Sequence, residues 1–181
     1  MGNIWIVTKR EFASFFATPV AYVFIAIFLM LSGIFTFFIG NLYERGQADL
    51  IPFFNFHPWL YLFLVPAIAM RSWAEERKSG SIELLMTLPI SVAQAVLGKF
   101  IAAWLVLGLA LALTFPLWLS VDFLGEPDHG IIVAAYIGSW LMAGAFLAIS
   151  TCMSAFTRNQ VVAFILAVVV CFLFVVSGSS I

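Results

Sequence analysis

Five stretches of this chain, at about residues 20–39, 52–70, 100–121, 131–156 and 161–176, contain no Asp, Glu, Lys or Arg at all. Each is close to the roughly 20 residues that an α-helix needs to cross a hydrocarbon core of about 30 Å. Lipid offers no hydrogen bonds, so a backbone in such a run must pair its own N–H and C=O groups, which leaves helices or closed barrels. A barrel would show shorter segments of alternating polarity. At 64% hydrophobic and 9% charged the sequence also lies well outside a soluble globular domain, whose apolar share is about half. The fold class is therefore all-α, a polytopic helical membrane protein forming one transmembrane domain over 1–181.

Before the first run, residues 4–16 are too polar to span. Trp5, Phe12, Phe15 and Phe16 alternate with Lys9, Arg10 and Glu11, as in an amphipathic helix lying in the membrane interface, and Thr18-Pro19 separates it from the first span. With the N-terminus in the cytoplasm, Lys9, Arg10, Arg71, Arg77, Lys78, Lys99 and Arg158 fall inside and only Arg45 falls outside. That is the positive-inside pattern. Pro116 predicts a kink within the third span. Gly138, Ser139, Gly144, Ser150 and Thr151 suit close helix packing in the fourth. Cys152 and Cys171 read as small packing residues, and His57 beside Pro58 as an interfacial polar residue.

The loop over 71–99 breaks the apolar rule. Six of the seventeen charged residues lie between Arg71 and Glu83, an arrangement that is costly unless they sit in water and touch something. Gly80-Ser81 suits a turn and N-cap, Glu83 the first turn of a short helix, and Pro89 its stop. On that helix Ile82, Leu85 and Met86 share one face, while Leu84 and Leu88 form another. Such a helix either lies on the membrane surface or fills a groove on a partner protein. Glu75, Glu76, Arg77 and Lys78 can equally form a solvated, self-paired helix end.

The span cores hold no ionisable group of the kind that ion-coupled pumps use, so an uphill transporter would draw its energy from elsewhere. No Walker A motif is present, since Gly98-Lys99 lacks both the preceding glycine and the following Ser or Thr. HExxH, CxxC and GxSxG are also missing, and adjacent Glu75 and Glu76 diverge by about 100° on a helix, a poor acid–base pair. Composition and motifs point away from an enzyme.

The pattern Arg71-x3-Glu75-Glu76-Arg77-x2-Gly80-Ser81-x-Glu83-x-Leu85-x3-Pro89, followed by Gly98-Lys99, resembles the first cytoplasmic loop of ABC-2 type permeases, most of all the gliding motility-type branch. Ser154-Ala-Phe-Thr157-Arg158-Asn159-Gln160 is similar to that family's second cytoplasmic loop, and 4–16 to its elbow helix. The resemblance implies a bacterial inner-membrane permease subunit, an exporter that pairs with a second permease as homo- or heterodimer and engages a separate cytoplasmic ABC ATPase. ATP and Mg belong to that ATPase; this chain binds no cofactor, metal or nucleic acid. By the same resemblance Gly80, Ser81, Ile82, Glu83, Leu84, Leu85, Met86 and Pro89 form the coupling helix. Arg71, Glu75, Glu76 and Arg77 form a charged hinge, and Thr157, Arg158, Asn159 and Gln160 a secondary contact. Ser81 stands where the family more often has Thr. The family has six spans and this sequence holds five, which leads us to expect a truncated frame or fragment. The competing expectation is a non-transporting membrane scaffold whose loop recruits a cytosolic protein.

Overall fold

Charge-free runs in which each backbone must satisfy itself become helices, and the computed structural model, which describes residues 2–46, 49–83 and 91–178, is built of helices and short connections with no strand among these residues. Helix α1 (Gly2–Ala17) covers the expected interfacial segment. Helix α2 (Val20–Ile34) follows the Thr18-Pro19 break and continues into one π-helical turn, Phe35–Ile39. After the 40–50 connection come α3 (Ile51–Asn55), α4 (His57–Ala69) and α5 (Arg71–Ser79). Residues 81–83 are again helical. Then follow α6 (Val92–Ala112), α7 (Phe115–Leu124), α8 (His129–Phe156) and α9 (Gln160–Gly178).

Four helical segments among the described residues are long and apolar enough to cross a membrane: Val20–Ile39, Val92–Leu124, His129–Phe156 and Gln160–Gly178. The run expected at 52–70 is not one continuous helix. It divides at Phe56, because Pro58 in the first turn of α4 has no N–H and its ring crowds the carbonyl four residues back. The kink expected at Pro116 is present as the Leu113-Thr114 break between α6 and α7, where the Thr114 hydroxyl donates to the Leu111 carbonyl at 2.6 Å.

Side-chain caps mark three helix starts. Ser91 and Gln94 form a reciprocal capping box on α6. The Asp128 carboxylate accepts from the N–H groups of Gly130 and Ile131 at the head of α8. The Asn159 side chain accepts from Val161 N–H at 2.9 Å at the head of α9.

Helix α4 occupies the middle, packed on α2, α8 and α9, and buries Leu60, Tyr61, Leu62, Val65 and Ile68. Its Tyr61 hydroxyl meets the Ser139 hydroxyl of α8 at 2.8 Å. His57 is fully buried within the protein, with its ring centroid 4.3 Å from that of Phe53 and 5.3 Å from that of Tyr61. Cys171 packs in the core, whereas Cys152 is exposed on the surface of this chain.

Candidate functional site

The charged segment begins where α4 ends, at one end of the bundle. Met70 turns the chain into α5, and the first N–H groups of that helix would lack partners if its start were bare. Ser154, fully buried near the end of α8, supplies them. Its hydroxyl oxygen accepts from Trp73 and Ala74 N–H, each at 3.1 Å, and its proton goes to the Met70 carbonyl at 3.0 Å. A residue eighty positions away thus caps the charged helix and fixes its angle to α4.

Lys99, about two turns into α6, ties three helices together. Its ammonium lies 2.7 Å from Glu76 Oε1 on α5 and 3.1 Å from Glu11 Oε2 on α1, and 5.6 Å from the centroid of the Trp73 ring. The Lys99 side chain is only 8% exposed, and the two carboxylates are 18% and 20% exposed, so this ion cluster is largely shielded from water. Burying an ammonium costs several kcal/mol unless opposite charge and hydrogen bonds compensate, and here two carboxylates do so. Burial pushes the Glu11 carboxyl upward, but Lys99 and Arg10 outweigh it and hold the group below its ordinary value.

Gly98 makes the geometry possible. A methyl group in its place would lie 2.6 Å from Val7 Cγ1, so only glycine lets α1 approach α6 closely enough for Glu11 to reach Lys99. The Gly98-Lys99 pair singled out in the sequence is one unit: the first residue gives the close approach and the second the charge.

Of the other expected site residues, Arg71 and Glu75 pair with each other at 3.1 Å along the outer face of α5. Arg77 is exposed in the last turn of α5, where a cation suits the helix C-terminus, and makes no ion pair with a described residue. Gly80 ends α5 with φ of +74°, a left-handed conformation that favours glycine. Ser81 places its hydroxyl 2.9 Å from that of Ser79, Ile82 packs near Trp73 and Ala95, and Glu83 N–H donates to the Gly80 carbonyl. Leu84, Leu85, Met86 and Pro89 lie outside the described residues. Thr157 accepts from Asn159 N–H at 3.1 Å, so Thr157 to Gln160 form the capping turn into α9, with Arg158 exposed.

The family model described as ABC-2 family transporter protein matches residues 50–181, from the start of α3 through α9. The chain belongs to this family. It is accordingly a multi-pass membrane protein and a permease component of a transporter. No curated protein matches the sequence.

Within this ABC-2 chain, Glu11 and Ser154 take part in the site although neither is among the residues expected there. Glu11 shares a helix face with the buried Val7 and Thr8, and an acid on the buried side of an amphipathic helix was the available signal. Ser154 opens the stretch similar to the family's second cytoplasmic loop, but nothing in the local sequence marks it as a cap for α5.

Proposed function

We propose that this chain is the permease subunit of an ATP-driven ABC exporter, gated by a separate cytoplasmic ATPase and performing no chemistry itself. ATP and Mg are held by that ATPase, which docks on the segment from Gly80 to Pro89. A second permease subunit, identical or related, completes the pathway through a bacterial inner membrane, with the N-terminus in the cytoplasm. The outward direction rests on the resemblance to the gliding motility-type branch.

One observation carries this reading: Lys99 joins α1, α5 and α6 through two ion pairs at the root of the docking segment. Ser154 adds α8 to the same junction. A push on the segment after Gly80 therefore reaches α5 first, and α5 is tied to four neighbours, α1, α4, α6 and α8, that must follow. The apolar residues of the sequence from Ile82 to Leu88, set among charged ones, support docking into a partner groove. The absence of any Walker motif in the sequence supports an external energy source.

The test is a mild-detergent pull-down followed by mass spectrometry, with Glu83→Lys and Leu85→Asp as variants. The unaltered chain should bring down a stoichiometric Walker-containing ATPase, and both variants should insert in the membrane but lose it. Leu85→Asp should be the worse, because an unpaired charge in an apolar groove is expensive. Normal complex recovery and transport in both variants would sink the coupling assignment. Recovery with non-ATPase partners alone would favour a scaffold.

A further inference from the structure

Helix α7 leaves α6 at the Leu113-Thr114 break, and contacts with α8 hold it in place. At the break itself the Thr114 and Tyr136 hydroxyls meet at 3.0 Å. One turn on, the Trp118 ring stacks on Tyr136 with centroids 6.2 Å apart, and its indole N–H donates to His129 Nδ1 at 3.2 Å. A further turn along α7, Asp122 Oδ1 lies 3.6 Å from the other ring nitrogen, Nε2. Trp118 and Asp122 share one face of α7, and His129, the first residue of α8, reaches both.

The bond from Trp118 fixes the state of the imidazole. An indole N–H only donates, so Nδ1 must offer its lone pair, and the ring is neutral with its proton on Nε2 toward Asp122. Protonation puts a hydrogen on Nδ1 as well. Two N–H groups then face each other at 3.2 Å, while the attraction between the ring and the Asp122 carboxylate grows. The other charged groups here are Glu126 and Asp128 of the turn, and the Asp128 carboxylate is engaged in capping α8. The Tyr136 phenol is committed to Thr114, and Arg45, the cation of this end, pairs with Asp49. The carboxylates favour an imidazolium and the head of α8 opposes it through its dipole. With the His129 and Asp122 side chains 60% and 51% exposed, protons from water reach the ring.

We propose that His129 is a pH-sensitive latch between α7 and α8. Neutral, it holds Trp118. Protonated, it releases Trp118 and takes Asp122 instead, which moves its grip one turn away from the Leu113-Thr114 break. The hinged end of α7 is then left with the Thr114–Tyr136 pair and a stack that has lost its hydrogen bond. Under the orientation proposed above, the latch lies on the outer side of the membrane, which the cytoplasm does not buffer. It stands at the far end of the bundle from Lys99 and is independent of ATPase coupling, so either reading can fail alone.

The experiment is NMR of the full chain with isotope-labelled tryptophan, in the complex from which it is purified. Its six tryptophans give six indole N–H resonances, and Trp118→Phe identifies the one at the latch. Between about pH 8 and about pH 5, the range in which imidazoles titrate, that resonance should move upfield as its proton loses the nitrogen acceptor. In His129→Gln, whose amide oxygen accepts at either pH, it should stay in place. That variant keeps His57, the one other imidazole of the sequence, and so separates the two. Hydrogen exchange over 115–124, corrected for its intrinsic dependence on pH, reads the helix itself. In Asp122→Ala, which removes the second partner, acidification should speed that exchange about fivefold, the scale of one hydrogen bond. A Trp118 resonance that does not move, or that moves equally in His129→Gln, would overturn the proposal. So would exchange in Asp122→Ala that is indifferent to pH.

Discussion

Lys99 shows how little a residue's neighbours in sequence say of its partners. It follows a glycine at the head of an apolar run, and it binds two carboxylates of its own chain from other helices. Lys99→Met would leave Glu11 and Glu76 close together with no cation between them. We expect a loss on the order of 2–3 kcal/mol, toward the low end of buried-pair deletions because both carboxylates keep some water. Thermal unfolding in detergent would show it, and Glu76→Gln, which leaves Lys99 with Glu11, should cost less. The same cluster sets a pH dependence. Glu11 titrates below its ordinary value of 4.5 in the folded state, so its contribution is complete above that value and is lost as pH falls through the folded one. Melting temperature should thus be insensitive to this group between pH 5 and 7. Below about pH 4.5 the unaltered chain should lose stability faster than a Glu11→Gln variant. Parallel acid profiles for the two proteins would remove Glu11 from the account.

Between elements, α6 and α8 are joined by a reciprocal clasp. Trp104 donates its indole N–H to the Trp140 carbonyl at 3.0 Å, and Trp140 donates to the Trp104 carbonyl at 3.3 Å. The rings stack with centroids 4.3 Å apart. Each indole also covers the glycine one turn after its partner, Trp140 over Gly108 and Trp104 over Gly144. The spacing Trp-x3-Gly therefore occurs once on each helix, and each glycine gives room for the other helix's ring. A Cβ at Gly108 would lie 2.8 Å from Trp140 Nε1, so Gly108→Ala must displace the indole. The expected cost is about 1–3 kcal/mol, the range for overpacking a filled interface. Near-UV circular dichroism should lose the signal of the stacked pair in the same variant. An unchanged spectrum and melting curve would mean the clasp is not formed.

For the whole molecule, packing gathers α1, α5, the start of α6 and the end of α8 at one end, through Lys99 and Ser154. All the Lys and Arg residues except Arg45 lie on these elements or next to them. The connection carrying Glu44 and the α7–α8 turn carrying Glu126 lie toward the other end. The orientation proposed above has a direct test in single-cysteine variants built on a background lacking Cys152 and Cys171. A membrane-impermeant thiol reagent should label Glu44→Cys in intact cells and Arg77→Cys only after the inner membrane is opened. Labelling in the reverse pattern would invert the topology, and with it the side on which an ATPase can dock.

How much was legible in advance follows from what each level of physics can see. A run without charge declares a membrane helix by itself, because lipid penalises each unpaired backbone group regardless of neighbours. The helix over the N-terminal segment, the Thr18-Pro19 break, the kink near Pro116 and the all-helical class were therefore fixed locally. The turn at Gly80 was too, since glycine alone enters that conformation freely. Chain-distant pairings left no such trace. The division of the second run at Phe56, the burial of His57, the capping of α5 by Ser154 and the grip of Lys99 on Glu11 all depend on which helix faces which. Local composition fixes what may enter the bilayer, whereas the contacts between helices, each spanning tens of residues of sequence, exist only once the bundle has closed.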